Sequence, residues 1–213
     1  MPSLNILAGP NGVGKTRISE FLLKQNFFSS KPFILDFLND AAISNLDYNL
    51  YGIEKKIALE IDRLFRTECE NAIVNNQDFT YECNFRRDQL KYVQLFEDAN
   101  YDLNLIYIFL DLVEHSIKRV EYRHKYQNGN FIDKDSIVNN FNEGLENLDL
   151  SYLEFNNFYL IDNSIDFYDE KEINFEIVLQ IHNKEILFLK ENFPPDYLKP
   201  YLPKMTDHLR NTV

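Results

Sequence analysis

Residues 9–16 read Gly-Pro-Asn-Gly-Val-Gly-Lys-Thr and match the pattern G-x-x-x-x-G-K-[ST] at every fixed position. An alternating apolar segment, Ser3–Ala8, precedes this run, and apolar residues at helical spacing follow it. Its three glycines permit positive φ and carry no Cβ, so consecutive backbone N–H groups can turn inward around an anion. A helix beginning near Lys15 adds the partial positive charge of its N-terminus. The run therefore predicts a strand–loop–helix unit that binds phosphate.

The same eight residues predict which ligand the loop binds. A lysine at the end of such a loop reaches the β- and γ-phosphates of a nucleotide, and the hydroxyl after it holds Mg²⁺. We therefore expect ATP or GTP as ligand and Mg²⁺ as cofactor, with Thr16 as metal ligand. The predicted nucleotide-binding residues of the loop are Gly9, Pro10, Asn11, Gly12, Val13, Gly14, Lys15 and Thr16.

Short apolar segments alternate with amphipathic segments along most of the chain. The predicted strands are Ser3–Ala8, Pro32–Leu35, Phe79–Tyr81, Leu103–Leu110 and Phe158–Ile161. The predicted helices begin near Lys15, run along Ile57–Ile73, and cover Arg87–Phe96, Glu114–Tyr126 and Lys134–Leu148. This alternation predicts an α/β fold, a P-loop NTPase-type parallel sheet flanked by helices on both faces. Ligands of such sheets lie beyond the carboxyl ends of the strands, so the loops there should line the site.

The composition excludes several classes of protein. A hydrophobic content of 45%, with 18 Phe and 13 Tyr, supplies a core and argues against disorder. A net charge of −12 without a dense Lys/Arg run argues against a nucleic-acid partner. No apolar stretch approaches the ~20 residues of a membrane span, and Leu4–Ala8 is too short for a signal peptide. Cys69 and Cys83 make no disulfide framework. We expect a cytoplasmic protein without a membrane partner.

Several segments, in order along the chain, resemble the zeta-toxin family, kinases of bacterial toxin–antitoxin systems. They are the loop at Ala8–Thr16, the strand Asp78–Glu82 (similar to the family's F-E-T), the turn and strand at Ala99–Leu110, the lid-like segment from Arg119 to Leu148, and the Y-L-I-D-N-S run at Tyr159–Ser164. The resemblance covers roughly residues 4–164. It implies a kinase domain over residues 1–164. Residues 165–213 remain as a C-terminal extension packed on the same domain, with a hairpin and an irregular Pro-rich tail.

The resemblance also implies roles on the acceptor side of the site. Asp36, at the end of the second predicted strand, stands where the family has its catalytic Asp and would be the general base for the acceptor hydroxyl. Asp40 is a competing alignment at the acceptor side, and either Asp can instead cap a helix or lie in a solvated loop. Glu82 would bind the acceptor or the metal region. Arg86, followed by Arg87, would bind substrate phosphates or remain a solvated surface cation.

The lid-like segment carries Arg119 and Arg123, which share a helix face because they are four residues apart. The resemblance implies that Arg123 is catalytic at the γ-phosphate and that Arg119 binds nucleotide; the alternative is an ordinary charged face. The chain departs from the family at three places. Asn128-Gly129-Asn130 replaces Gly-Gly-His, Asn139-Asn140-Phe141 replaces Arg-Arg-Tyr, and Cys83 replaces a Thr. The second of these changes removes an arginine that normally helps to neutralise the transferring phosphate, and Lys125 or Lys134 is a possible replacement.

The resemblance implies an ATP-dependent kinase. Its acceptor would be a hydroxyl of a nucleotide sugar such as UDP-N-acetylglucosamine, and an antitoxin protein is a possible partner. Two other functions remain open from the residues. One is a small-molecule kinase, for example an antibiotic-modifying phosphotransferase of the chloramphenicol type. The other is a nucleotide-dependent switch with weak or no transfer activity.

Overall fold

The computed structural model describes residues 1–25, 27–29, 32–34, 51–127, 129, 131–164 and 176–212, apart from the side chains of 51–58 and Pro195. The strands are β1 (Ser3–Ala8), β2 (Phe33–Ile34), β3 (Phe79–Cys83), β4 (Asp102–Phe109), β5 (Asn157–Asp162), β6 (Glu176–His182) and β7 (Glu185–Leu189). The helices are α1 (Lys15–Lys24), α2 (Tyr51–Val74), α3 (Leu90–Asp98), α4 (Val113–Tyr126), α5 (Lys134–Ser151) and α6 (Pro203–Thr212). None of the helices in these ranges is both long and apolar enough to cross a membrane.

The seven strands form one sheet in the order β2-β3-β1-β4-β5-β6-β7. The first five strands in this order are parallel, and β6 and β7 extend the sheet as an antiparallel pair. The prediction of an α/β fold with a parallel sheet flanked by helices is therefore confirmed. The carboxyl ends of β1, β3, β4 and β5 meet at one edge of the sheet, and that edge carries the glycine-containing loop at residues 9–14.

The two central strands of the parallel part of the sheet, β1 and β4, are covered on both faces. Every side chain from Leu105 to Phe109 is buried, and so is every side chain from Leu4 to Ala8. A strand that is covered on both faces is largely apolar, and the buried polar side chain of Asn5 in β1 is hydrogen-bonded to Thr80 and Asn104. The apolar runs therefore identify the centre of the sheet.

The C-terminal tail contains a helix, although its prolines predict an irregular segment. Residues 203–212 form α6, so the prediction of an irregular tail is wrong there. Leu198, Leu202, Met205 and Leu209 recur at three- and four-residue steps, and all four are fully buried in the main core. The side chain of Asp149 on α5 accepts hydrogen bonds from the backbone N–H groups of Lys204 (3.1 Å) and Met205 (2.9 Å) at the start of α6. The division of the chain into a domain and an extension stays a prediction.

A ladder of polar side chains crosses five strands at the amino-terminal half of the parallel sheet. Asn5 donates to Thr80 (3.3 Å), Asn104 donates to Asn5 (2.9 Å), and Asn157 donates to Asn104 (2.7 Å). The ring nitrogen Nδ1 of His182 lies 2.7 Å from the side-chain oxygen of Asn157. These residues are direct neighbours in the strand registers, so the ladder joins β3, β1, β4, β5 and β6. We call it the amide ladder.

Candidate functional site

The loop at residues 9–14 joins β1 to α1 and takes the conformation that its glycines permit. Gly9, Gly12 and Gly14 have φ of 145°, 72° and 95°. A Cβ on Gly9 would lie 2.5 Å from the backbone oxygen of Ile108 on β4, closer than real Cβ contacts. The predicted positive φ values are thus confirmed, and contact with β4 gives a second reason for glycine at position 9. We call residues 9–16 the phosphate loop.

The ammonium group of Lys15 lies against the phosphate loop. Its Nζ donates to the backbone oxygens of Gly9 (2.8 Å) and Pro10 (3.2 Å) and to Oδ1 of Asn84 (2.9 Å). Asn84 belongs to the turn after β3 and is buried. Sequence reasoning did not select Asn84, although a polar residue just past a predicted strand of the active edge is a usable signal.

Thr16 and Glu82 place two oxygen atoms that can act as metal ligands side by side. The Thr16 hydroxyl donates to Oε2 of Glu82 at 3.2 Å, and Glu82 is 2% exposed at the end of β3. Hydroxyl and carboxylate oxygens are ligands that Mg²⁺ accepts, together with phosphate oxygens and water. No three His, Cys, Asp or Glu side chains of the described residues cluster as a metal site of their own. The pair therefore fits a Mg²⁺ ion that takes its other ligands from a nucleotide and from water.

Helix α4 packs its first two turns on the phosphate loop. Ser116 donates its hydroxyl to the backbone oxygen of Asn11. A Cβ on Gly12 would lie 3.0 Å from the backbone oxygen of Ser116 and 3.1 Å from Cβ of Arg119. The helix and the loop are therefore in direct backbone contact, and a side chain at position 12 would separate them.

Arg119 is joined to the phosphate loop through the segment that follows β5. Its Nη2 donates to the backbone oxygen of Asn163 at 2.9 Å, and the amide of Asn163 donates to the backbone oxygen of Val13 at 2.7 Å. Burial lowers the pKa of the Arg119 guanidinium, and the charge of Asp111 opposes that shift. A buried guanidinium remains charged because arginine does not deprotonate in proteins. The structure thus brings Arg119 and Asn163 to the loop together.

Arg123 lies one helical turn beyond Arg119 on the same face of α4. It is half-buried, and its Nε has no hydrogen-bond partner among the residues described. A Cβ on Gly129 would lie 2.5 Å from Cγ of Arg123, so the two residues are in close contact. The catalytic role of Arg123 stays a prediction.

Asn140 of α5 also contacts the phosphate loop. Its Nδ2 donates to Oδ1 of Asn11 at 2.9 Å, and Asn11 is buried. Asn140 stands where the zeta-like pattern has the second arginine of Arg-Arg-Tyr. The structure thus places this position at the loop, where it carries a neutral amide.

A shallow cleft opens beside the turn after β3. Arg86, Arg87, Asp88 and Glu143 line it. The Nη2 atom of Arg86 lies 3.3 Å from Oδ2 of Asp88. The Nε atom of Arg86 is buried and has no hydrogen-bond partner within the described part of the chain. The cleft could hold an anionic group of a substrate.

The predicted acceptor bases, Asp36 and Asp40, lie outside the described residues, as do Asn128 and Asn130. The choice between Asp36 and Asp40 therefore stays open. Both follow β2, whose neighbour β3 carries Glu82 in register with Ile34.

No protein-family model matches the sequence, and neither does any curated protein. Among solved structures, a chain of the AvrRxo1-ORF1:AvrRxo1-ORF2 complex with sulphate ions has a TM-score of 0.57 at 14% identity and covers 100% of this chain and 76% of that chain. The same complex with ATP has a TM-score of 0.53 at 15% identity, over 100% and 76% of the two chains. A chain of the PezAT chromosomal toxin–antitoxin system of Streptococcus pneumoniae has a TM-score of 0.52 at 16% identity, over 98% and 88%.

These similarities show the fold alone. The chain shares the fold of a chain of the PezAT toxin–antitoxin system and of a chain of the AvrRxo1 complex, and this likeness agrees with the resemblance of its segments.

Proposed function

We propose that this chain is an ATP-dependent phosphotransferase that binds ATP with Mg²⁺ and transfers the γ-phosphoryl group to a hydroxyl of a small molecule. One observation carries the proposal: the ammonium of Lys15 and the hydroxyl of Thr16, both from the phosphate loop, meet Asn84 and Glu82 from the end of β3. Groups suited to a nucleotide and groups suited to an acceptor thus share one point at the carboxyl edge of the sheet.

Phosphoryl transfer requires bound phosphates, neutralised charge and an aligned hydroxyl rather than covalent chemistry by the protein. Backbone N–H groups of the phosphate loop would bind the phosphates, and Lys15 would neutralise the β- and γ-oxygens. Thr16 and Glu82 would hold Mg²⁺, which supplies positive charge to the phosphate oxygens when bound. Arg119 adds a buried cation behind the loop.

The transfer itself needs one proton acceptor. The acceptor oxygen forms a bond to the γ-phosphorus, the bond from that phosphorus to the bridging oxygen breaks, and ADP leaves. The hydroxyl proton passes to a carboxylate, which we assign to Asp36, with Asp40 as the alternative. Arg123 would approach the γ-phosphate from α4.

The acceptor we favour is a hydroxyl of a nucleotide sugar such as UDP-N-acetylglucosamine. The zeta-like order of segments, the fold shared with a chain of the PezAT system and the cleft at Arg86 and Arg87 support this choice. The same fold likeness supports a protein antitoxin as a possible partner. An antibiotic-type small-molecule kinase would use the same nucleotide site with another acceptor.

A second candidate function is a nucleotide-dependent switch with little or no transfer. Asn140 favours it, because this residue contacts the phosphate loop with a neutral amide where the zeta-like pattern has an arginine. The switch predicts affinity for ATP without acceptor-dependent release of ADP.

The test begins with calorimetry of purified protein and Mg·ATP. We expect measurable affinity, a loss of at least tenfold in Lys15→Ala, and no change in Lys24→Ala, which alters an exposed lysine on the same helix. Mass spectrometry after incubation with ATP and a panel of hydroxyl acceptors then identifies the product. Wild-type protein with no magnesium-supported affinity for ATP or GTP would refute the proposal, and affinity without any phosphorylated product would favour the switch.

A further inference from the structure

The turn that follows β3 contains a backbone conformation that needs support. Phe85 has φ of 63°, a region that bulky residues rarely adopt. Its side chain is 1% exposed and packs against Tyr107 and Phe155, with ring centroids 6.0 Å and 6.2 Å away. Such conformations persist only where the surroundings hold them. The residue before it is Asn84, whose amide oxygen accepts the Lys15 ammonium.

One face of α5 holds this turn. Nδ2 of Asn147 donates to the backbone oxygen of Phe85 at 2.9 Å, in a buried hydrogen bond. A Cβ on Gly144 would lie 2.6 Å from the backbone oxygen of Asn84, so the helix lies directly against the turn. Positions 144 and 147 are three apart and therefore share a helix face. The backbone of both turn residues is thus fixed by α5.

The same face of α5 also reaches the phosphate loop. Asn140, one turn before Gly144, donates to Asn11 at 2.9 Å. A single rigid helix therefore contacts the loop that carries Lys15 and the turn that carries Asn84. The distance between the loop and the turn therefore depends on the position of α5.

We propose that Asn147 is a positioning residue of the phosphotransferase, because its hydrogen bond to Phe85 fixes the turn and so sets the Asn84 oxygen that orients the Lys15 ammonium. The lysine side chain has a flexible four-carbon stem and loses much conformational entropy when its ammonium group is fixed in one position. The side-chain oxygen of Asn84, a hydrogen-bond acceptor outside the phosphate loop, restricts the conformations of Lys15 before the nucleotide binds. This inference rests on the proposed function of the same site.

The test compares two asparagines of α5. Asn147→Asp keeps the side-chain shape, removes the N–H donor and sets a carboxylate oxygen against the carbonyl of Phe85. We expect the affinity for Mg·ATP, measured by calorimetry, to fall about tenfold. Asn142→Asp makes the same charge change at an exposed position of α5, and its affinity should stay within about twofold of wild type.

A double variant separates positioning from general stability. If Asn147 acts through Asn84, then Asn84→Ala should weaken Mg·ATP binding about tenfold by itself, and adding Asn147→Asp should weaken it no further. The midpoint of thermal unfolding should fall with Asn147→Asp in both backgrounds. A role in stability alone would instead give the same loss of affinity in both backgrounds, or none in either, and would overturn the proposal.

Two further outcomes are distinguishable. If circular dichroism shows that Asn147→Asp does not fold, Asn84→Ala alone decides, and unchanged affinity in that variant overturns the inference. If wild type binds Mg·ATP but neither variant is weakened, the inference fails and the proposed function stands. If wild type does not bind a nucleotide at all, both fail together.

Discussion

Nδ2 of Asn140 lies 2.9 Å from Oδ1 of Asn11, although the two residues are 129 positions apart in the chain. The contact gives a buried loop side chain a hydrogen-bond partner from α5. It also shows that the position where the zeta-like pattern has an arginine is adjacent to the phosphate loop. In this chain the position holds the loop in place but adds no positive charge.

Replacing Asn140 with alanine tests the structural side of this contact. The change leaves Oδ1 of Asn11 buried without that donor, so we expect the free energy of unfolding to fall by about 1–3 kcal/mol. Urea denaturation measures it, and Asn142→Ala, at an exposed position of the same helix, should change stability by less than about 0.5 kcal/mol. Equal effects of the two variants would show that the contact contributes nothing to stability.

Two glycines of the phosphate loop should differ in their tolerance of alanine. Both have positive φ, but a Cβ on Gly9 would meet a β4 backbone oxygen at 2.5 Å, whereas a Cβ on Gly14 would meet the Asn163 amide at 3.4 Å. We expect Gly14→Ala to cost about 1–3 kcal/mol through backbone strain, and Gly9→Ala to cost more through the added clash. Urea denaturation of both variants checks the order. The opposite order would contradict the contact with β4.

Thr16 should link nucleotide affinity to magnesium. Thr16→Val removes the hydroxyl and keeps a β-branched shape, so the affinity for ATP in excess Mg²⁺ should fall about tenfold while the affinity in EDTA stays unchanged. Calorimetry under both conditions measures the difference. Thr67→Val, at an exposed position of α2, serves as the control and should retain the magnesium effect. A similar loss with and without the metal would remove Thr16 from the proposed metal site.

Asp149 should determine how firmly α6 is held. Its carboxylate accepts from the backbone N–H groups of Lys204 and Met205, so Asp149→Ala removes the cap and should lower the free energy of unfolding by about 0.5–2 kcal/mol. Hydrogen exchange should show faster exchange in residues 203–212 in particular. Asp207→Ala, at an exposed position of α6, is the matched control. If exchange in α6 does not change, the cap is not what holds the helix.

Cys69 should make stability depend on alkaline pH. Burial raises the pKa of its thiol from 9.0 to about 12. The stabilising contribution of the neutral thiol is therefore complete below pH 9 and is lost as the pH rises towards 12, because the unfolded chain loses this proton first. The free energy of unfolding of wild type should fall more steeply over this range than that of Cys69→Ala, by at most about 1.4 kcal/mol per pH unit. Parallel curves from urea denaturation would show that the thiol does not titrate in this way.

The parts of the fold that the sequence predicted are those encoded locally. An alternating apolar segment identified β1, and a continuous apolar run identified β4, whose consecutive side chains are buried because both faces of the strand are covered. The glycine pattern predicted the backbone of the loop at residues 9–14, because positive φ at Gly9, Gly12 and Gly14 is what glycine permits. The α/β class followed from the alternation of short apolar segments with amphipathic segments along the chain.

The parts that the sequence did not predict depend on contacts between distant segments. Asn84 and Asn147 are ordinary polar residues in the sequence, and only the docking of α5 shows what they bind. The tail helix was missed because its prolines indicated a break. Pro203, however, is the first residue of α6, a position where proline's missing N–H and fixed φ are harmless. Asp36 and Asp40 remain predictions.

The amide ladder has a consequence for how this chain can change. Its rungs join five strands at the end of the sheet opposite the phosphate loop, so strand alignment there is fixed by side chains that lie away from that loop. A slip of β1, β4 or β5 would break rungs on both sides of that strand, and a slip of β3 or β6 would break one rung. Loops at the other end can therefore change in sequence while the sheet keeps its alignment.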